Sequence, residues 1–266
     1  MYSFIISGVL VVLVGILTTR DLGFGWGVFC GVTAGIIVQI VIGLLIRKKV
    51  NKINENLQGI MQSAQVKINR QMTQFQQRPV GSVKTAQQIL EKIQRDAVLE
   101  TLAATSQFDR YYRWNYLLKK QINTMKMQLR FQLKEFDAVD LLLPKCFLLD
   151  ARSLAIKLVR MFKKSDPKLD KFYQRKCAKF KGEDAAFLAC LYAWIKLRQN
   201  DEKAALDALI KAKKVSDNPV LLENYERLVN GKAKLFNNAN LGDLWYSLYL
   251  EEPKVKPQRD TRQRMF

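Results

Sequence analysis

The sequence predicts an all-α protein with a membrane hairpin at its N-terminus, and three observations lead to that prediction. Two uncharged apolar runs, residues 2–19 and 22–46, are separated only by Arg20 and Asp21. The chain beyond them shows helical periodicity, and no segment has the convincing alternation of a strand. The composition is strongly basic, with 44 Lys and Arg against 24 Asp and Glu.

The two apolar runs are predicted to form a transmembrane helical hairpin over residues 1–46. The first run would span about 27 Å, close to the ~30 Å hydrocarbon core, and the second is longer. Because a backbone in lipid must satisfy its own hydrogen bonds, both runs should be helical. A cleaved signal peptide is the alternative for the first run, but no Lys or Arg precedes it and Ile16–Thr19 is a poor cleavage site.

The flanking charges predict the orientation of this hairpin. Arg47, Lys48 and Lys49 directly follow the second run, whereas the turn between the runs carries only Arg20 beside Asp21. Since positive residues stay on the cytoplasmic side, we expect a two-pass integral membrane protein with both termini in the cytoplasm.

A series of glycines marks the second run. They recur at every fourth position, which places them on one helix face where another helix can approach closely. That helix would be either the first run or the same segment of a second copy. The alternative is that glycine is simply common in membrane helices. The predicted transmembrane packing residues are Gly23, Gly27, Gly31 and Gly35.

A juxtamembrane helix is predicted over residues 47–78. Its apolar positions begin at Val50 and Ile53 and recur in steps of three and four as far as Phe75. The recurrence over eleven residues suits a straight or slightly right-handed coiled coil. The stripe of residues 50–75 would pair with a second copy, giving a homo-oligomer, or lie against the rest of the protein, or remain solvated. A Pro- and Gly-containing linker, 78–82, ends this helix.

Residues 82–251 are predicted to form helical hairpins. Two segments, 129–150 and 189–219, each show a helix, a short polar turn and a second helix, and Pro219 follows the later pair. Both resemble the tetratricopeptide repeat, and the resemblance covers roughly residues 116–251. It implies an α-solenoid scaffold that binds a peptide or a partner helix. Generic helical hairpins are the alternative. The residues at the small-residue positions of the repeat are Val139, Cys146, Ala193, Ala205 and Ala212.

The resemblance also predicts two less regular units. Residues 152–184 would be a degenerate middle repeat, broken at 165–167 and carrying the large Phe172 at its small-residue position. A last hairpin would pair residues 219–230 with 241–251, with Trp245 and two tyrosines closing the end of the array.

Several chemistries are excluded or unsupported by the residue types. The chain has no histidine, which removes His-based acid–base catalysis, nucleophile activation and metal ligation. The four cysteines lack metal-ligand spacing, and no glycine loop for phosphate is found. We therefore expect neither an enzyme nor a cofactor.

The basic charge predicts contact with an anionic surface. Anionic lipid is the expected partner, nucleic acid is a less favoured one, and a solvated basic face is the third interpretation. A basic tail, residues 252–266, should be disordered. The candidate contacts are Arg47, Lys48, Lys49, Lys168, Lys171, Arg175, Lys176 and Lys179.

Together these features predict a membrane-anchored helical-repeat scaffold or adaptor that binds other proteins at the cytoplasmic membrane face. The alternative is a basic membrane tether for anionic lipid or nucleic acid. The sequence does not identify the protein partner.

Overall fold

The computed structural model describes residues 2–77 and 83–253, and the only regular secondary structure within these ranges is helical. The chain divides after Phe147 into an N-terminal and a C-terminal unit. The N-terminal unit contains five α-helices and two short 3-10 turns. These helices are α1 (Tyr2–Leu22), α2 (Phe24–Gln77), α3 (Val83–Ala104), α4 (Tyr116–Gln132) and α5 (Phe136–Leu142).

The two apolar N-terminal helices are confirmed, and both α1 and α2 are long and apolar enough to cross a membrane. The predicted second membrane segment and the juxtamembrane helix form one helix of 54 residues. No proline or glycine interrupts the chain between Gly43 and Gly59, so nothing ends the helix at the basic cluster. At 1.5 Å per residue, α2 is about 80 Å long.

The apolar stripe of α2 packs within its own chain. Ile53 and Leu57 are buried in a core with Phe108, Leu118 and Ile122. Of the three interpretations of the stripe, the structure contains the second: the stripe lies against the rest of the protein. α2, α3 and α4 therefore belong to one compact unit. The chain divides after Phe147 rather than at the predicted linker.

The chain between α3 and α4 is not α-helical. A 3-10 turn, Thr105–Tyr111, follows α3, and α4 begins only at Tyr116. Asn115 adopts an extended conformation, and its side chain accepts hydrogen bonds from the backbone N–H groups of Leu117 and Leu118. Such N-capping by Asn stabilises the start of a new helix. The predicted linker 78–82 and the tail from residue 254 lie outside the described residues.

The C-terminal unit is built around one buried helix. Twelve consecutive residues of α8, Ala185–Lys196, are buried, which explains why this helix has no polar face. α6, α9 and α10 pack around it. The helices of this unit are α6 (Ala151–Lys163), α7 (Leu169–Phe172), α8 (Gly182–Arg198), α9 (Glu202–Lys213), α10 (Pro219–Val229) and α11 (Asp243–Tyr246).

The α8–α9 pair is the hairpin that most closely fits the predicted repeat. Ala193 and Ala205 are fully buried and Ala212 is 6 % exposed, all in one core with Leu209 and Leu221. Small side chains at these positions allow the two helices to approach closely. The structure therefore gathers three of the five predicted repeat-packing residues in one cluster.

The remaining hairpins are shorter than the repeat requires, so the predicted solenoid is not confirmed. α5 has seven residues, and α7 has four before a π-helical turn, Tyr173–Cys177. The second helix of the last hairpin is only α11, because positive φ angles at Gly242 and Tyr249 stop helix propagation on both sides. Val139 is fully buried and Cys146 is half-buried.

A polar cluster fixes α8 to the segment before it. The Lys196 side chain is 8 % exposed, and its ammonium lies 2.7 Å from the Asp170 carboxylate and 3.6 Å from that of Asp201. The Tyr192 hydroxyl donates to Asp170 at 2.9 Å, and its ring stacks on Tyr173. Burial and the Asp170 carboxylate raise the pKa of Tyr192 above its ordinary value, so it stays a neutral donor.

We predict that Ala205→Glu unfolds the α8–α9 core. The carboxylate would enter a fully buried site without a partner, at a cost of about 3 kcal/mol or more. Hydrogen–deuterium exchange of the full chain in mild detergent should show loss of protection in α8 and α9. Ile210→Glu is the matched control, because Ile210 lies on the same helix and is 37 % exposed. Equal protection in both variants would refute the packing of α9 against α8.

Candidate functional site

The α1–α2 contact is built from backbone rather than from side chains. Gly27, Gly31 and Gly35 are buried on the face of α2 that meets α1. A Cβ atom at Gly31 would lie 2.6 Å from the carbonyl oxygen of Val11, and one at Gly27 would lie 2.9 Å from that of Gly15. Both distances are below any normal carbon–oxygen contact. The face that the sequence offered to either a first helix or a second copy is therefore filled by α1 of the same chain.

Gly23 does not belong to this contact, although it shares the four-residue spacing. It is the single residue between α1 and α2, its φ is +84°, and a Cβ there would meet nothing within 4 Å. The turn needs glycine because other residues are strained at such a φ. The predicted packing set of four is thus three packing glycines and one turn glycine.

A basic face lies on α2 just beyond its apolar part. Arg47, Lys48 and Lys49 are all exposed. A shallow depression of about 520 Å³ on this face is lined by cations, one acidic group and an apolar floor. Lys49 does not line it. The helical period puts this depression on the side of α2 opposite the buried Ile53 and Leu57. Its lining residues are Leu44, Arg47, Lys48, Asn51, Lys52 and Glu55.

A groove of about 530 Å³ lies between α2, α3 and α4. Its floor is apolar and comes from Leu57, Met61, Met125 and Leu129. Methionine side chains are flexible and polarisable, so they adapt to different apolar partners. The rim is uncharged and consists of Asn54, Gln58 and Gln62, and the buried Thr101 also lines the groove. The apolar side of α2 can be recognised from its sequence, but the groove cannot, because its other wall comes from α3 and α4.

The second basic set lies in the C-terminal unit, around α7 and the π-helical turn. Tyr173 and Cys177 point into the core there, which leaves the cations between them at the surface. The ammonium of Lys157 lies 4.6 Å from the centre of the Phe172 ring, a cation–π contact. The five predicted residues are all exposed: Lys168, Lys171, Arg175, Lys176 and Lys179.

A carboxylate–indole cluster near the end of the described chain was not foreseen. The Glu251 carboxylate accepts hydrogen bonds from the indole N–H groups of Trp194 and Trp245, at 2.8 and 2.9 Å. Arg198 lies 3.7 Å from the same carboxylate. Trp245 is fully buried, as a residue closing the unit should be. The cluster fixes the chain after α11 against α8. No local sequence signal marks Glu251, because one of its two indole partners, Trp194, lies 57 residues earlier in the chain.

The buried thiols have low reactivity. Burial raises the pKa of Cys177 to about 12, only partly opposed by Lys157, and that of Cys190 to about 12. A thiol reacts as the thiolate, so both should be inert at neutral pH. The residues that the structure describes contain no cluster of acidic, Cys or His side chains that could hold a metal ion.

No protein-family model matches the chain, and neither a curated protein nor a solved structure matches it significantly.

We predict that Gly31→Leu separates α1 from α2. The new side chain would collide with the Val11 carbonyl, and loss of close approach should cost about 1–2 kcal/mol of helix–helix contact in lipid. Unfolding in a titration with dodecyl sulfate should shift to a lower detergent fraction. Gly43→Leu is the matched control, since a Cβ at Gly43 meets nothing within 4 Å. If both variants unfold like the parent, the glycine contact contributes no stability.

Proposed function

We propose that this chain is a two-pass membrane protein whose helical body acts as an adaptor, binding another protein at the cytoplasmic membrane face. The supporting observation is the unbroken α2. It leaves the apolar hairpin and contributes Ile53 and Leu57 to the core of the N-terminal unit. A body joined to its anchor by a continuous helix is held at a fixed height, as an adaptor surface requires.

We propose that both ends of the chain lie in the cytoplasm, because exposed Arg47, Lys48 and Lys49 follow the apolar part of α2. Cysteines at exposed Phe24 and Lys119 should report opposite sides of the membrane. The background variant is Cys30→Ser with Cys146→Ser, which leaves only the inert thiols. An impermeant maleimide should label Phe24→Cys in intact cells and Lys119→Cys only after permeabilisation. The reverse pattern would contradict this orientation.

We propose the groove between α2, α3 and α4 as the docking site, and an amphipathic helix of the partner as its occupant. An apolar floor flanked by three helices matches the apolar face of such a helix, which anchors through residues spaced three and four apart. The methionines would repack around those anchors. The uncharged rim of Asn54, Gln58 and Gln62 offers hydrogen bonds without requiring a charged partner.

The docking proposal predicts that Met61→Glu abolishes capture of the partner. A carboxylate on the groove floor would be buried by a docked apolar face, which costs several kcal/mol. The measurement is affinity purification in mild detergent with quantitative mass spectrometry. Met72→Glu is the control, because Met72 is 47 % exposed on the same helix and does not line the groove. A partner retained equally by Met61→Glu, Met72→Glu and the parent would exclude the groove.

The alternative function, a tether for anionic lipid, is supported by the basic face of α2. Three cations surround the depression on α2. Leu44, an exposed residue shortly before Arg47, forms its floor. A phospholipid places its phosphate and its acyl chain at the same boundary. This arrangement favours lipid over nucleic acid, which has no apolar part to match the floor.

This alternative predicts retention of anionic lipid by the purified protein. Replacing Arg47, Lys48 and Lys52 by glutamine should weaken it by about 100-fold, at ~1 kcal/mol for each cation. Native mass spectrometry measures the bound lipid. Lys67→Gln with Arg70→Gln is the control, since those exposed residues lie about 22–35 Å further along α2, beyond the ~8 Å screening length. Equal lipid loss in both variants would argue against a defined site.

A further inference from the structure

The start of α1 is fastened to the loop between the 3-10 turn and α4. The backbone N–H of Tyr2 donates to the Arg113 carbonyl at 3.1 Å, and the Ser3 hydroxyl donates to the Trp114 carbonyl at 3.3 Å. The Arg113 guanidinium donates to the Tyr2 hydroxyl at 2.9 Å. The rings of Tyr2 and Trp114 meet edge to face, with centroids 5.6 Å apart. We call residues 110–117 the capping loop; they run from the end of the 3-10 turn to the second residue of α4 and cap the N-terminal end of an apolar helix.

The length of α1 fixes the depth of this contact in a bilayer. From Tyr2 to Arg20 the helix is about 28 Å long, nearly the thickness of a ~30 Å hydrocarbon core. If α1 spans, each of its ends lies at a hydrocarbon boundary. A loop hydrogen-bonded to the backbone of Tyr2 and Ser3 then lies at the same boundary.

The register of α2 places the loop on the membrane side of the basic cluster. The Gln39 amide donates to the Ser3 hydroxyl at 3.4 Å. Gln39 precedes Arg47 by eight residues, so the loop lies about 12 Å below the level of Arg47 along α2. The intervening turns are apolar and exposed, with Ile40, Val41, Leu44 and Leu45 each 49–60 % exposed. Trp114 therefore lies level with the apolar part of α2 and not level with the basic cluster.

The side chains of the loop suit a membrane–water boundary. Tryptophan and tyrosine place an apolar ring in lipid and a polar tip in the headgroup layer. Arg110 and Arg113 are exposed beside them and can reach lipid phosphates. Leu117, the second residue of α4, is 49 % exposed.

We propose that residues 110–117 form a third membrane contact, an interfacial anchor in the leaflet that holds the Tyr2 end of α1. Trp114, Tyr2 and Leu117 enter the boundary, and Arg110 and Arg113 meet the phosphates. The inference rests on the proposed membrane placement of the hairpin. Its consequence is that the N-terminal unit touches the bilayer through this loop as well as through the two helices of the hairpin.

Depth-dependent quenching of tryptophan emission tests the anchor on the full chain reconstituted in vesicles. The lipids carry bromine at a shallow, a middle or a deep position of the acyl chain. The difference between the parent and Trp114→Phe isolates the emission of Trp114. We expect lipids with shallow bromines to quench the Trp114 emission at least twofold more than lipids with deep ones. An unquenched difference at every depth would overturn the anchor.

Trp26→Phe separates failure of the anchor from failure of the membrane placement. Trp26 is 62 % exposed near the turn between α1 and α2, far along the chain from the loop. The difference between the parent and Trp26→Phe gives the emission of Trp26. If the Trp26 emission is quenched and the Trp114 emission is not, the anchor alone is wrong. If neither is quenched, the membrane placement fails and the anchor fails with it.

A second variant keeps the test decisive if Trp114→Phe disturbs the loop. Leu117→Trp, added to Trp114→Phe, places a new indole at an exposed position of the same loop. It should restore shallow quenching while circular dichroism shows unchanged helix content. Leu141→Trp is its control, because Leu141 is 73 % exposed on α5 of the same unit and outside the loop. Equal quenching of the two added indoles would overturn the local anchor.

Discussion

The packing of Ile53 and Leu57 against Phe108, Leu118 and Ile122 is the interaction on which the N-terminal unit depends. These contacts lie on the half of α2 that has left the apolar hairpin. Without them, α2 would lose its buried contact with the 3-10 turn and with the first half of α4. Burying an apolar side chain of this size contributes about 1.5–3 kcal/mol. A few such residues therefore suffice to couple the hairpin to the helices that follow it.

The sequence revealed features that repeat along one helix and missed those that join distant segments. The spacing of Gly27, Gly31 and Gly35 and the apolar stripe of α2 could be recognised because a helix converts spacing into a face. Gly23 had the same spacing, but a turn starts there and its φ of +84° decides its role. Glu251 could not be assigned from sequence, since Trp194 and Trp245 meet it only after the C-terminal unit has folded.

The repeat prediction was limited by a similar cause. Ala193, Ala205 and Ala212 identified the α8–α9 hairpin because small residues at a crossing leave a local pattern. The pattern carried no information on helix length in the neighbouring hairpins. Single residues with positive φ angles lie next to those helices: Ser165 follows α6, at the break that the sequence predicted, and Gly242 and Tyr249 flank the four-residue α11.

Buried polar groups explain how α8, a helix without a polar face, keeps a defined orientation. Apolar burial alone is non-directional and tolerates rotation of a helix about its axis. Lys196 reaches Asp170, and the buried Asn238 donates to the Cys190 carbonyl at 3.1 Å while receiving a hydrogen bond from Asn224. A rotated α8 would leave these groups unpaired at about 1–3 kcal/mol for each neutral one and more for the charged one. Hydrophobic burial thus makes the C-terminal unit compact, and these polar contacts select one arrangement of its central helix.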